Sequence, residues 1–390
     1  MKREGTEQFQ DISGFQERIV DFVNEELRPI ELQVGKNGFI PGEIIEKMRD
    51  LGLFGMSIPE AYGGLGLSTL DEMMIHESLT RVNACFRSRI GTSNSIGSMG
   101  ILYDGTEEQK QKYLPRIAAG EWTAAFALTE PGAGSDASNI STSAVLEGDH
   151  WVLNGTKQFI TNADCATVFT TIALTDENKR AHGGVTAFIV EKDMPGFRVG
   201  YPDLKMGMKA SQTCELIFNN CKVPLENVIG GEAMVGQGFK TAMRVLDKGR
   251  LTMGACALGA SREMLDMCLK RVRGSMAAGV HKDNLQSQMF QLADMATQIF
   301  AGRQMLHHAA RLRDQGRGVT HEASMVKLFC TEMASRIADM AMDIFGHEGY
   351  LTKNRIETFL RDVRLYRLYE GTSEIQRLVI SRNLLKGAKQ

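Results

Sequence analysis

The chain has 390 residues, 43% of them hydrophobic and 24% charged, with a formal net charge of −2. This length supports a core spread over two or three domains, and the near-neutral balance offers no footprint for a nucleic acid or an anionic membrane. Seven cysteines without CxxC spacing argue against a disulfide scaffold or a zinc ribbon and fit a reducing compartment. No run reaches about eighteen apolar residues, so no membrane span is expected. The polar start MKREGTEQFQDI has no apolar leader core, which makes a cytoplasmic location the default expectation.

Residues 1–121 read as a helical domain. Phe15, Ile19, Phe22 and Val23 form one apolar stripe, and 43–53, 70–80 and 107–117 have helical spacing. PEAYGGLGLS reads as a turn region. The small residues of GTSNSIGSMG (91–100) suit either a close backbone or ligand approach or a loosely specified helix. Residues 122–235 change to strand grammar, with short extended runs in HWVLNGTKQFIT, GGVTAFIVEK, PGFRVGYP and CELIFNNCKVP. Asn154-Gly155 reads as a tight hairpin turn. The expected product is an antiparallel barrel or sandwich. Residues 236–390 return to long helices. Phe290, Leu292, Ala293, Met295, Ala296, Ile299 and Phe300 recur three and four apart, and 323–345 repeats the pattern. Long helices with short loops predict a four-helix bundle, with the many methionines as core filler. The fold class is therefore α+β.

No GxGxxG opens a βαβ unit, and neither a P-loop nor HExxH is present, so no metal site is expected. Four stretches carry the functional reading: FALTEPGAGSD (126–136), GTKQFITNA (155–163), LDKGR (246–250) and YEGTSEIQR (369–377). Read alone, these are a Gly-Pro turn, a strand, a solvated helix face and a surface loop. Their order, together with IPEAYGGLGLS, YDGTEEQKQKYLP and KVPLENVIG, resembles the acyl-CoA dehydrogenase family over nearly the whole chain.

The resemblance implies a helical domain, a β-barrel and a four-helix bundle, non-covalent FAD and a homotetramer. It implies α,β-dehydrogenation of an acyl-CoA in fatty acid β-oxidation, with an electron-transfer flavoprotein as acceptor. By match, Phe126, Leu128, Thr129, Gly134 and Ser135 line FAD, and Ser135 also touches the CoA portion. Phe159, Ile160 and Thr161 stand at the family's Trp-Ile-Thr, where the aromatic packs on the flavin ring. Gly371, Thr372 and Glu374 belong to the flavin side of YEGTSE. Asp247 and Arg250 match positions beside CoA, and Tyr369 flanks the base.

Glu370 matches the family's general base. The α-proton of a saturated thioester is very weakly acidic, so a carboxylate within direct reach is required. Some family members place the base at the position of Gly249, which glycine cannot fill.

The chain departs from the pattern at the expected pyrophosphate grip. Gln286 matches the family's Gln. The paired Arg falls on Ser275, with Ala278 for the aromatic, or on Arg273 if two residues are inserted, with Met276 for the aromatic. The second alignment is favoured because a charge opposite pyrophosphate is valuable. In DIFGHEGY, Asp343 replaces Gln, Gly346 is kept and His347 replaces Gly. Arg87 and Ser88 match the Arg-Ser with which glutaryl-type members hold a distal carboxylate, while Thr80 replaces that pocket's acid. The leading expectation is a short- or medium-chain acyl-CoA dehydrogenase. A dicarboxylic-chain enzyme, an enoyl-CoA reductase, a lyase of the same fold and a flavin-poor binding protein remain alternatives.

Overall fold

The computed structural model describes residues 12–386. It begins with helices α1 (Ile12–Phe22), α2 (Glu31–Asn37), α3 (Gly42–Asp50), α4 (Thr69–Leu79), α5 (Cys85–Asn94), α6 (Met99–Asp104) and α7 (Glu107–Ala118). Phe15, Ile19 and Phe22 of α1 are buried, as their spacing requires. Ser68 caps α4 by accepting from the Asp71 amide, and Thr106 with Gln109 forms a reciprocal capping box on α7. The small residues between α5 and α6 permit close packing. A Cβ on Gly97 would lie 2.7 Å from the carbonyl carbon of Ala124, at the start of the sheet.

The strands are β1 (Ala124–Ala127), β2 (Ser143–Glu147), β3 (His150–Thr161), β4 (Val168–Leu174), β5 (Val185–Glu191), β6 (Phe197–Pro202) and β7 (Thr213–Pro224). They form one curled sheet in the order β1-β4-β2-β3-β7-β6, with β5 paired to β4. The sheet is mainly antiparallel, but β1 and β2 both run parallel to β4. The expected hairpin turn at Asn154-Gly155 is corrected. These residues lie inside β3, where the register to β7 shifts between Leu153 and Gly155. The turn falls at residues 148–149, because Glu147 pairs with His150. Asn154 is held in the sheet by its side chain, whose Oδ1 accepts from the Asn220 amide at 2.8 Å. A chain reversal there would cut β3 away from β7.

The last segment comprises α8 (Gly238–Ala277), α9 (Gln286–Asp314), α10 (Thr320–Phe345), α11 (Ile356–Tyr366) and α12 (Ser373–Lys386). Met253, Met264, Met295 and Met333 are buried among alanines and branched residues, as fillers of irregular core space. The cysteines are buried apart from Cys165. No helix among the described residues is long and apolar enough to cross a membrane. No cluster of potential metal ligands occurs among them.

The N-terminal half of α8 is the hub. LDKGR does not face solvent, because Lys248, Gly249 and Arg250 are all buried. Lys248 Nζ lies 2.8 Å from Glu72 Oε2 on α4 and donates to the Asn94 carbonyl at 3.1 Å. His76 Nε2 meets the other Glu72 oxygen at 3.3 Å. Burial pushes the Glu72 carboxyl up, but Lys248 and His76 outweigh it and hold the group at about 2. Burial depresses His76 to about 4. Both folded values lie below the ordinary ones, so this stabilisation is complete above them. It is lost as pH falls through the His76 window and then the Glu72 window.

Removing one partner of a buried pair strands the other charge. Lys248→Met is therefore expected to lower the unfolding free energy by about 3–5 kcal/mol. Chemical denaturation of parent and variant checks this, and an unchanged midpoint would show that the pair contributes nothing.

Candidate active site

A cavity of about 820 Å³ opens between the sheet and the helices. That is the size of a site for a large ligand. Phe126, Leu128, Thr129, Gly134, Ser135, Phe159, Ile160 and Thr161 line its sheet side. Ser88, Arg250, Tyr369, Glu370 and Gly371 line its helical side. The four sequence stretches thus meet at one place, with Phe126 and Glu370 244 residues apart in the chain.

The sheet-side wall is built by a buried ion pair that the sequence reading did not single out. Lys157 Nζ lies 2.7 Å from Glu130 Oε1 and donates to the Leu128 carbonyl at 3.0 Å. Glu130 also accepts from the Ser141 and Thr142 amides at 2.6 and 2.9 Å. One lysine therefore ties TEPGAGSD to GTKQFIT. Burial pulls Lys157 down to about 8, while Lys157 and the donated hydrogen bonds overcome burial to bring Glu130 down to about 2. The only advance signal was that Lys157 is the one charged residue of GTKQFITNA, and that Glu130 sits inside the Gly-Pro turn motif.

Beyond this pair the backbone is forced. Phe159 and Asn162 both have left-handed φ, at 59° and 61°. Such a conformation costs about 1–3 kcal/mol in a non-glycine residue. The Asn162 amide offsets it by donating to the Ser88 carbonyl at 3.0 Å and to Thr92 Oγ1 at 2.8 Å. The result is that Phe159 stands 58% exposed in the cavity wall, an aromatic ring offered to a ligand rather than to the core.

Glu370 is delivered by the break between α11 and α12. Its own φ is 56° and that of Gly371 is 86°, which turns the chain sharply. Gln376 Nε2 holds the turn by donating to the Glu370 and Gly371 carbonyls at 3.1 and 3.0 Å. Glu370 Oε2 is shut off from solvent and has no hydrogen-bond partner among the described residues. Burial raises the carboxyl to about 6 against the opposing fields of Arg87, Arg250 and Lys327. Gly249 of α8 lies against it. A Cβ at that position would sit 2.3 Å from Glu370 Oε2. Residues 249 and 370 thus compete for one space, and the glycine is what admits the glutamate.

Arg250 donates to Asp247 Oδ1 at 2.7 Å, and Asp247 Oδ2 accepts from Thr320 at 2.5 Å. Asp247 supports the arginine and does not itself line the cavity. Ser88 shares a 2.6 Å hydrogen bond with Ser211. Arg87 lies on α5 and is not a surface turn. Its Nε is closed to solvent and unpartnered among the described residues, and the fields of Cys256, Tyr369 and Glu370 reach it. Thr372 is half-buried and caps α12 through the Ile375 amide, whereas Glu374 is exposed and pairs with Arg377.

The residues that the resemblance assigns to the pyrophosphate of a neighbouring subunit's FAD stand outside this cavity. Arg273, Gln286, Asp343, Gly346 and His347 are exposed around the junctions of α8 with α9 and of α10 with the turn that follows it. The nearby Arg271 turns inward to the Ile344 carbonyl and Glu348. None of the five lines this chain's cavity.

Three family models match in succession. They are the acyl-CoA dehydrogenase N-terminal domain at residues 10–121, the middle domain at 125–221 and the C-terminal domain at 236–385. The acyl-CoA dehydrogenase of Bacillus subtilis is 40% identical over 94% of this chain and 96% of its own. The mitochondrial short-chain specific acyl-CoA dehydrogenase of Rattus norvegicus is 40% identical over 94% of this chain and 88% of its own. The butyryl-CoA dehydrogenase structure from Megasphaera elsdenii superposes with a TM-score of 0.91 at 36% identity, covering 96% of this chain and 98% of that one. The chain belongs to the acyl-CoA dehydrogenase family, a family of FAD-dependent oxidoreductases.

The contact at Gly249 generates a direct test. Gly249→Ala drives a methyl group into the Glu370 carboxylate and forces it to move. A displacement near 1 Å is enough to cost about 100-fold in turnover. Steady-state kinetics with butyryl-CoA would measure this, and parental kcat would show that the carboxylate is not confined there.

Proposed function

We propose that this chain is an FAD-dependent acyl-CoA dehydrogenase that converts a short- or medium-chain acyl-CoA to its trans-2-enoyl thioester, with Glu370 as the base. The observation that carries the reading is a buried carboxylate with a free oxygen, facing a cavity whose opposite wall offers an exposed aromatic ring. The donor set suits FAD: the Thr129, Ser135 and Thr161 hydroxyls and the loop amides are neutral, and Phe159 is flat. Leu128, Thr129, Phe159, Ile160 and Thr161 would hold the ring. When bound, FAD supplies the acceptor for the β-hydride.

The protein's own contribution is proton abstraction. Glu370 takes the α-proton through its unpartnered oxygen. The closed surroundings keep water from solvating the carboxylate and raise its basicity. The Glu370 amide, by the family pattern, polarises the thioester carbonyl. Arg250 and Ser135 lie along the path for the CoA portion. Exposed Phe290 and Phe300 on α9, at 63% and 67%, support assembly into a homotetramer. There Arg273, Gln286, Asp343, Gly346 and His347 would face the pyrophosphate side of a neighbour's FAD. An electron-transfer flavoprotein is the proposed electron acceptor.

Glu370→Gln is expected to keep flavin but lose nearly all bleaching of it by butyryl-CoA under anaerobic conditions. Retention of most of the parental rate would remove Glu370 from the role of base.

A dicarboxylic acyl chain is the second reading, favoured by the unpartnered Arg87. A distal carboxylate reaching it would gain about 1.5–3 kcal/mol from a charge-assisted hydrogen bond. Against this, Arg87 does not line the cavity, and Ser88 is already engaged by Ser211. The neutral-chain reading predicts that Arg87→Ala leaves the preference between glutaryl-CoA and pentanoyl-CoA unchanged in kcat/KM. A loss of glutaryl-CoA use of about tenfold or more would establish the dicarboxylic reading.

A further inference from the structure

Lys327 is fully buried on α10 and does not line the cavity. Its Nζ donates to the Gly371 carbonyl at 2.6 Å. A buried lysine is costly, and here its only hydrogen-bond acceptor among the described residues is that carbonyl. The same helix grips the segment twice more. Glu332 accepts from Ser373 Oγ at 2.6 Å and lies 2.9 Å from Arg367 Nε. α10 therefore holds both flanks of the turn and its apex.

We propose that Lys327 is a positioning residue for the base: it fixes the left-handed Glu370–Gly371 turn through the Gly371 carbonyl and places a cation behind the carboxylate. This rests on the reading of Glu370 as the base.

The charged and titratable groups around Glu370 make the assignment specific. Arg87 faces it from α5, Arg250 from α8 and Lys327 from α10. Cys256 of α8 and Tyr366 and Tyr369 of its own segment lie nearby, and their ordinary ionisations are all driven upward by burial. Arg250 already has Asp247. Lys327 alone also touches the backbone that sets the direction of Glu370. Around Lys327, burial lowers its own ionisation to about 8, with Glu370, Glu332 and Glu374 opposing and Arg250 assisting. The lysine is thus charged while Glu370 begins to ionise near 6.

The test uses full-length holoenzyme and two readouts. Difference infrared titration without substrate follows the Glu370 carboxyl, assigned by its loss in Glu370→Gln. Kinetics with butyryl-CoA give kcat and KM. In Lys327→Met the Glu370 titration should move up by about one unit. At pH 6.5, kcat should fall about threefold through the ionisation shift and about tenfold once the loss of positioning is added, while KM changes less than about threefold. Lys327→Arg should restore the titration towards the parent. Lys327→Gln keeps a donor for the carbonyl but lacks the charge, so it should retain the upward shift with a smaller loss of kcat at pH 8.5.

A Glu370 titration at the parental position in both Lys327→Met and Lys327→Gln would overturn the proposal. If Lys327→Met does not fold, Lys327→Gln carries the same criterion. A shifted titration together with an active Glu370→Gln enzyme would sink the base reading and leave the electrostatic link intact. An unshifted titration with an inactive Glu370→Gln enzyme would do the reverse.

Discussion

Everything in the site depends on keeping one carboxylate out of water and still able to ionise. Glu370 gains basicity from burial, but burial alone would leave it protonated when its proton-accepting form is needed. Arg87, Arg250 and Lys327 bring it back to about 6. They come from three different helices, so the bundle must pack correctly before the proposed base has its working ionisation. The strained turn at residues 370–371 has the same dependence. Its carbonyls are held by Gln376 and Lys327, outside the turn itself.

The remaining architecture supplies two surfaces to face that carboxylate. α8 passes close enough to touch it because Gly249 has no side chain, and the α4 pair Glu72–His76 anchors α8 through Lys248. On the other side, Lys157 and Glu130 join two loops of the sheet into one wall. The left-handed backbone at Phe159 then turns its ring outward. On both sides a buried ion pair holds the backbone; the wall near Phe159 then offers mainly neutral groups, while α8 also presents Arg250 to the cavity. That division fits a site for a flat cofactor and an apolar acyl chain.

Much of this was legible in the sequence. The long helices announced themselves by apolar spacing, and α4, α7 and α10 fall within a few residues of the expected bounds. The four motifs pointed to the cavity through the resemblance that their combination and order carry, since read alone they are a turn, a strand, a solvated helix face and a loop. Asn154-Gly155 misled because the pair has turn chemistry, while Asn220 on the neighbouring strand captures Asn154. Lys157, Lys248 and Lys327 were not legible as buried residues. A lysine in a mixed sequence looks the same whether its partner is water or a glutamate far along the chain. Arg273, Gln286, Asp343 and His347 were read from the family pattern and stand exposed, away from this chain's cavity.

The central claim is that burial and three surrounding cations together set the ionisation of Glu370. The most direct measurement is the pH dependence of kcat/KM for butyryl-CoA, which reports the free enzyme's essential groups. The value should rise with pH through a single ionisation at about 6, because Glu370 as the proposed base works only when deprotonated. A limb at the ordinary glutamate value, or a profile flat across that range, would contradict the account.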